Sequence, residues 1–224
     1  MYMSSVRLKT GEKGGTGALA VFLAGSVNLI GQAHQVVWSL FGDQGGKRDF
    51  LYRMTGSGPS EPVLLYSARK VTDAHGLWEV QTREFDLGAE LAAGDRITWS
   101  IRVNATVKSG SKRHDIVMHA RREGDTAHWD EIAQRVVPPW LSAKLADIGV
   151  DAAAGKMAVE AYSKRRFLNN PMKRGENVTV AATDVRGIGT VRDPDLLRAG
   201  LLAGVGSGRI YGCGMLLLKR VAAA

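Results

Sequence analysis

Cysteine is almost missing from this chain: Cys213 stands alone among 224 residues. No intramolecular disulfide can form, and a lone thiol suits a reducing, intracellular setting. Long apolar runs are missing as well. The best of them, Ala18 to Ala24, is about a third of the roughly 20 residues that a membrane-spanning helix needs. It also makes a poor signal peptide, because Arg7, Lys9 and Lys13 precede it with acidic and glycine-rich residues between them. A cytoplasmic chain with no membrane contact is the expectation. The glycine-rich stretch Thr10 to Gly17 contains no G-x-x-x-x-G-K-[ST], which excludes a phosphate-cradling nucleotide loop of that kind. His114, His119 and His128 with a single cysteine make no standard zinc pattern. In a strand, His114 and His119 point to opposite faces. Neither a metal nor a cofactor is expected.

Acid is in deficit, with 22 acidic residues against 30 basic ones, a net charge of +8 and a pI near 9.8. Such a balance favours polyanionic partners, nucleic acid first among them. The basic residues are also clustered. Lys108, Lys112, Arg113, Arg121 and Arg122 face only Asp115 between Val107 and Arg122. Lys164, Arg165, Arg166, Lys173 and Arg174 face no acid between Ser163 and Arg174. Two solvated loops would explain this, and so would two arms gripping a phosphate backbone.

Periodicity predicts an α+β chain. Tyr2 to Lys9 alternates as a strand does. From Asn28 to Phe41 the period becomes helical, with Ile30, Ala33, Val37 and Phe41 on one stripe and His34 at its edge. Asp49 to Met54 and Glu61 to Ala68 read as strands, Val71 to Gly94 as a short helix or extra strand, and Ile97 to Val103 as the clearest strand of all. That order is close to a βαββαβ ferredoxin-like unit. Residues 107–114, around the polar stretch Lys108 to Arg113, read as a basic linker. Beyond it come a short strand (Asp115 to His119) and a helix from Ala127 to Val137. Pro138 and Pro139 interrupt that helix, and a second one runs from Trp140 to Asp147. A hairpin follows (Lys156 to Tyr162 and Asn177 to Ala182), then a helix begun by Asp193-Pro194, a glycine-rich loop (Gly204 to Gly214) and a last strand (Met215 to Lys219). The reading is two tandem ferredoxin-like (RRM-like) domains, residues 1–106 and 115–224.

Five blocks of sequence resemble the CasE-type CRISPR RNA-processing endoribonucleases. They are the opening Met1-Tyr2-Met3-Ser4, the stretch Ala33 to Phe41, the block Arg48-Asp49-Phe50-Leu51-Tyr52, the block Ile101-Arg102-Val103-Asn104, and the stretch Gly204 to Leu216. They occur in the family's order from the first residue to the last strand. The resemblance implies a fold of two tandem ferredoxin-like domains, in agreement with the pattern reading. It implies a precursor CRISPR transcript bound at its repeat hairpin and cut 3′ of the stem. The products would be a 2′,3′-cyclic phosphate and a 5′-hydroxyl, formed without metal. It also implies that the chain stays on its product as a subunit of a Cascade-type effector complex.

RNA carries its own nucleophile, the 2′-hydroxyl beside the scissile phosphate. An enzyme must remove that proton and protonate the leaving 5′-oxygen, and histidine suits either transfer. His34 matches the family's catalytic histidine. Family members carry a tyrosine three residues earlier, where this chain has Gly31, and Tyr211 is a candidate substitute. Arg209 stands where the family's glycine-rich loop commonly has lysine. It keeps the positive charge that would stabilise the phosphorane, without a proton to give. Gly206 and Gly208 would let backbone N–H groups approach a phosphate, although a tight helix-to-strand connection explains them equally. The resemblance makes Arg165 and Arg166, near the hairpin tip, RNA ligands, with Lys112 and Arg113 as further candidates. A hairpin-binding subunit without catalysis is the alternative, motivated by Gly31.

Overall fold

The computed structural model describes residues 1–9, 37–38, 40–41, 48–56, 61–73, 76, 78–86, 90–168 and 177–221. It is an α+β fold whose chain divides into two compact units. The first comprises Met1–Phe85 together with Arg166–Val178 and Ile210–Gly212, and the second comprises the rest.

The first unit is built on a four-stranded antiparallel sheet. β1 (Tyr2–Leu8) lies between β3 (Val63–Ser67) and β4 (Trp78–Glu84), and β2 (Phe50–Met54) lies outside β3. The alternation in β1 does what period two demands: Ser4, Val6 and Leu8 are buried while Arg7 is exposed. Buried Ser4 meets the Thr82 hydroxyl of β4 at 2.9 Å, so its polar atom is satisfied. Val37, Leu40 and Phe41 join Val6, Leu8, Phe50, Tyr52 and Leu65 in one core. Phe41 stacks on Phe50, with Trp38 edge-on to the same ring. Val37 and Phe41, which helical spacing put on one stripe, are both buried, while Ile30 and Ala33 of that stripe lie outside the described residues. The uncertain stretch Val71 to Gly94 supplies the extra strand β4.

The second unit begins with β5 (Arg96–Val103), where Ile97, Trp99, Ile101 and Val103 are all buried. β5 pairs antiparallel with β10 (Asn177–Val191) and β11 (Leu216–Arg220). The sheet order is β11-β5-β10-β8, with β8 (Val150–Asp151) at one edge and β9 (Met157–Leu168) also pairing with β10. The strand read as the end of the first domain is thus central to the second sheet, and the units divide between Phe85 and Asp86. Alternation reveals a strand but not its partner, so period alone could not place β5.

Three other expectations fail for identifiable reasons. The basic linker is a two-stranded hairpin, β6 (Thr106–Ser109) with β7 (Lys112–Asp115), and Asp115 then caps α1 (Ile116–Arg122) by accepting from the Met118 N–H. The short strand expected from Asp115 to His119 is therefore a helix, begun by an ordinary carboxylate cap. The proline pair does not interrupt α2 (Trp129–Ala146), which runs through Pro138 and Pro139. Proline removes backbone donors at a cost of about 3 kcal/mol or more. Against that, Ile132, Val137, Leu141 and Leu145 are all fully buried along the same stripe, each contributing about 1.5–3 kcal/mol. α3 (Pro194–Ala203) starts as expected, with the Asp193 carboxylate accepting from the Asp195 and Leu196 N–H groups.

Candidate functional site

The glycine-rich loop connects α3 to β11, and its polar groups turn inward. The Ser207 hydroxyl donates to the Asn104 side-chain oxygen at 2.6 Å, and Asn104 Nδ2 donates to the Ala181 carbonyl at 2.6 Å. The Gly214 N–H donates to the Arg102 carbonyl at 2.7 Å, and the Val205 N–H to the Gly214 carbonyl. Two blocks about a hundred residues apart, Ile101–Asn104 and Gly204–Leu216, therefore form one structure. Gly206 and Gly208 hold φ of +77° and +73°, and a Cβ on either would sit 2.9 Å from the Trp140 ring or the Asn104 side chain. Left-handed backbone and close approach both require glycine here. The fold alone accounts for these two residues.

Arg209 opens a 3-10 turn, Arg209–Tyr211. Its Nη2 donates to the Gly204 carbonyl at 3.0 Å, while its buried Nε has no partner among the described residues. Tyr211 ends the same turn, half-buried. Residues Ile210–Gly212 belong to the first unit, where the Tyr52 hydroxyl donates to the Ile210 carbonyl at 2.6 Å and Gly212 lies against the Tyr52 ring. Within the first unit this sets Tyr52, the end of one family-like block, against Ile210–Gly212. Arg102 makes a bidentate pair with Asp184 across β5 and β10, at 2.9 and 2.8 Å, and the Asp184 hydrogen bond holds its guanidinium firmly protonated.

His34 and Gly31 lie outside the described residues, as do the side chains of Arg165 and Arg166, whose backbone forms part of β9. Lys112 and Arg113 are exposed on β7. The rings of His114 and His119 are not on opposite faces. They stack at 6.3 Å, because the chain leaves strand for helix between them.

Sequence reading missed a corner in the second unit. The Tyr162 hydroxyl of β9 donates to the Asp115 carboxylate at 2.8 Å. Burial pushes the Asp115 carboxyl above the usual range, against hydrogen bonds from the Met118 N–H and Tyr162 and the charge of Lys164. Burial likewise pushes the Tyr162 phenol up, helped by the Asp115 charge, so it stays a donor. Lys164 Nζ lies 3.8 Å from the centre of the Trp129 ring and Arg121 Cζ lies 4.6 Å from it. Charge clustering hinted at Arg121 and Lys164, but nothing in the sequence linked them to Trp129. No group of three or more metal-ligating side chains occurs among the described residues, and none of their helices is long and apolar enough to cross a membrane.

No curated protein matches the chain. Solved structures do. The CRISPR endoribonuclease Cse3 bound to a 19-nucleotide RNA shares 20% identity at a TM-score of 0.71, over 98% of this chain and all of that one. The CRISPR-associated protein Cas6e of Escherichia coli shares 21% at a TM-score of 0.57, over 99% of this chain and all of that one. A chain of a CRISPR RNA-guided surveillance complex shares 18% at a TM-score of 0.66, again over 99% and all. The model of the family described as CRISPR associated protein matches residues 1–220, and the chain belongs to that family.

Proposed function

We propose that the chain is a metal-independent endoribonuclease. It binds the repeat hairpin of precursor CRISPR RNA in the cytoplasm and cleaves 3′ of the stem by 2′-hydroxyl attack. A 2′,3′-cyclic phosphate remains, and the chain stays on the product as a subunit of a Cascade-type effector complex. The observation that carries this reading is the likeness of fold, over 98% of the chain, to an endoribonuclease bound to RNA. Both units then belong to tandem ferredoxin-like domains. The orders β2-β3-β1-β4 and β11-β5-β10-β8 support this, each having the first strand of its sheet between the last two, β1 between β3 and β4 and β5 between β10 and β11.

In this reaction His34 transfers the proton, as base, acid or both. Arg209 offers its fixed charge to the phosphorane oxygens. Tyr211 stands in for the hydroxyl absent at Gly31. Arg165, Arg166, Lys112 and Arg113 hold phosphates of the stem, with the loop around Gly206 and Gly208 beside the cut. Incubation of purified chain with a labelled repeat hairpin, in chelator, should yield one cut with a cyclic phosphate end. His34→Ala should slow that cut by about 10²–10⁴-fold with repeat binding kept within severalfold. Full-speed cleavage by the mutant would remove His34 from the mechanism. Tight binding by wild type with no cleavage would leave the hairpin-binding subunit that Gly31 suggests.

A further inference from the structure

In the second unit, α1, the first turn of α2 and the later half of β9 bring Arg121, Arg122 and Lys164 together around Trp129 and His114. What holds these cations is unusual for a solvated surface. Lys164 is held by the Trp129 ring and by Met118 Sδ at 3.0 Å. Arg121 is held by the same ring and by the Ala127 carbonyl at 2.8 Å. Arg122 Nη1 lies 3.0 Å from His114 Nδ1. Since arginine only donates, a neutral His114 so held carries its hydrogen on Nε2. Among the described residues none of the three forms an ion pair. The carboxylates near them have other partners: Asp115 takes Tyr162 and the Met118 N–H, Asp125 takes Arg135, and Asp130 takes His128. Glu123, at the end of α1, stays exposed. The positions of the three cations are thus fixed by neighbours that carry no full negative charge, and the carboxylates Asp115 and Asp125 act on Lys164 and Arg121 only through space.

We infer that this corner is a sequence-independent grip for the phosphate backbone of duplex RNA, with Arg121, Arg122 and Lys164 as the phosphate ligands. The inference rests on the reading that the chain binds an RNA stem. Three features separate it from other occupants. A single strand would need an open aromatic face on which to stack a base, and the Trp129 ring is already engaged by two cations. A protein partner would need an apolar anchor, and the exposed large apolar residues Ile188, Leu196 and Ile210 lie on other elements. Duplex RNA hides its base edges in a deep, narrow groove and presents phosphates and shape, which suits fixed cations.

The test uses the full chain, two labelled RNA stem-loops of unrelated sequence, and a triple variant R121Q/R122Q/K164Q, with K164Q alone as the milder change. Folding is checked by circular dichroism and melting temperature. The triple variant should lose roughly ten- to thirty-fold in affinity for both stem-loops. Its slope of log affinity against log salt should flatten by about three, one for each phosphate that is no longer neutralised. K164Q should flatten the slope by about one. A folded variant with wild-type affinity and slope would overturn the inference and leave the corner to an acidic protein surface. Loss confined to one stem-loop would overturn it in favour of base reading. Wild-type protein that binds stem-loops no better than an unrelated protein of equal charge would sink the RNA reading itself, and this inference with it.

Discussion

The glycine-rich loop and the basic corner of the second unit spend their polar groups in opposite directions. In the loop, Ser207 and Asn104 bond to each other, Arg209 braces the Gly204 carbonyl, and Gly206 and Gly208 make room for Trp140 and Asn104. In the corner, the Trp129 and His114 rings, a thioether and one backbone carbonyl hold the cations, and among the described residues none of the three forms an ion pair. The difference teaches that a conspicuous glycine pattern can be scaffold first, whereas a plain run of charge can be a built surface. What makes a surface is whether the cations are fixed without being neutralised.

Substitution on each side should separate the two roles, and the loop should respond more strongly. Gly208→Ala adds a Cβ at φ +73°, 2.9 Å from the Asn104 side chain. It should cost about 3 kcal/mol, from left-handed strain and overpacking together. Chemical denaturation measures this, and an unchanged midpoint would mean that the loop is not the scaffold described. Asp115→Ala on the corner side should cost about 2 kcal/mol by the same measurement. It uncaps α1 and leaves the Tyr162 hydroxyl without its acceptor. It should also weaken RNA binding, because Tyr162 lies two residues before Lys164 and anchors the middle of β9 to the start of α1. RNA affinity at wild-type level would show that Asp115 braces the fold without positioning the cations.

Legibility in the sequence followed the range of the forces involved. β1 and β5 were plain because alternation is local, and α3 was plain because Asp193 and Pro194 make a local cap. The membership of β5 was hidden, since pairing with β10 and β11 depends on residues some eighty to a hundred and twenty positions away. α2 was misread because the cost of Pro138 and Pro139 is visible locally, while the burial of Leu141 and Leu145 that offsets it belongs to the packed core. The corner was only half legible: charge marked Arg121 and Lys164, but Trp129 and Tyr162 join them through folding alone. Resemblance supplied His34, and its local setting is outside the described residues.

The smallest effect sharpens the comparison most, because it reads charge separately from shape. Asp115→Asn keeps a side-chain oxygen that can accept from Tyr162 and the Met118 N–H, and removes only the buried negative charge. Burial raises the wild-type carboxyl above its unfolded value. Between the unfolded and the native value the folded state therefore holds a proton that the unfolded chain has released, and stability falls as pH rises through that window. Wild type should consequently gain on the Asn variant as pH falls through the native value towards the ordinary carboxylate range. Above the window the two should differ by a constant amount. Paired melts across acidic pH measure the difference. If the gap between them stays flat from neutral pH down to the ordinary carboxylate range, burial does not penalise the Asp115 charge. The Lys164 cation would then be partly neutralised by that charge, and the corner would resemble the inward-turned loop more than a phosphate grip.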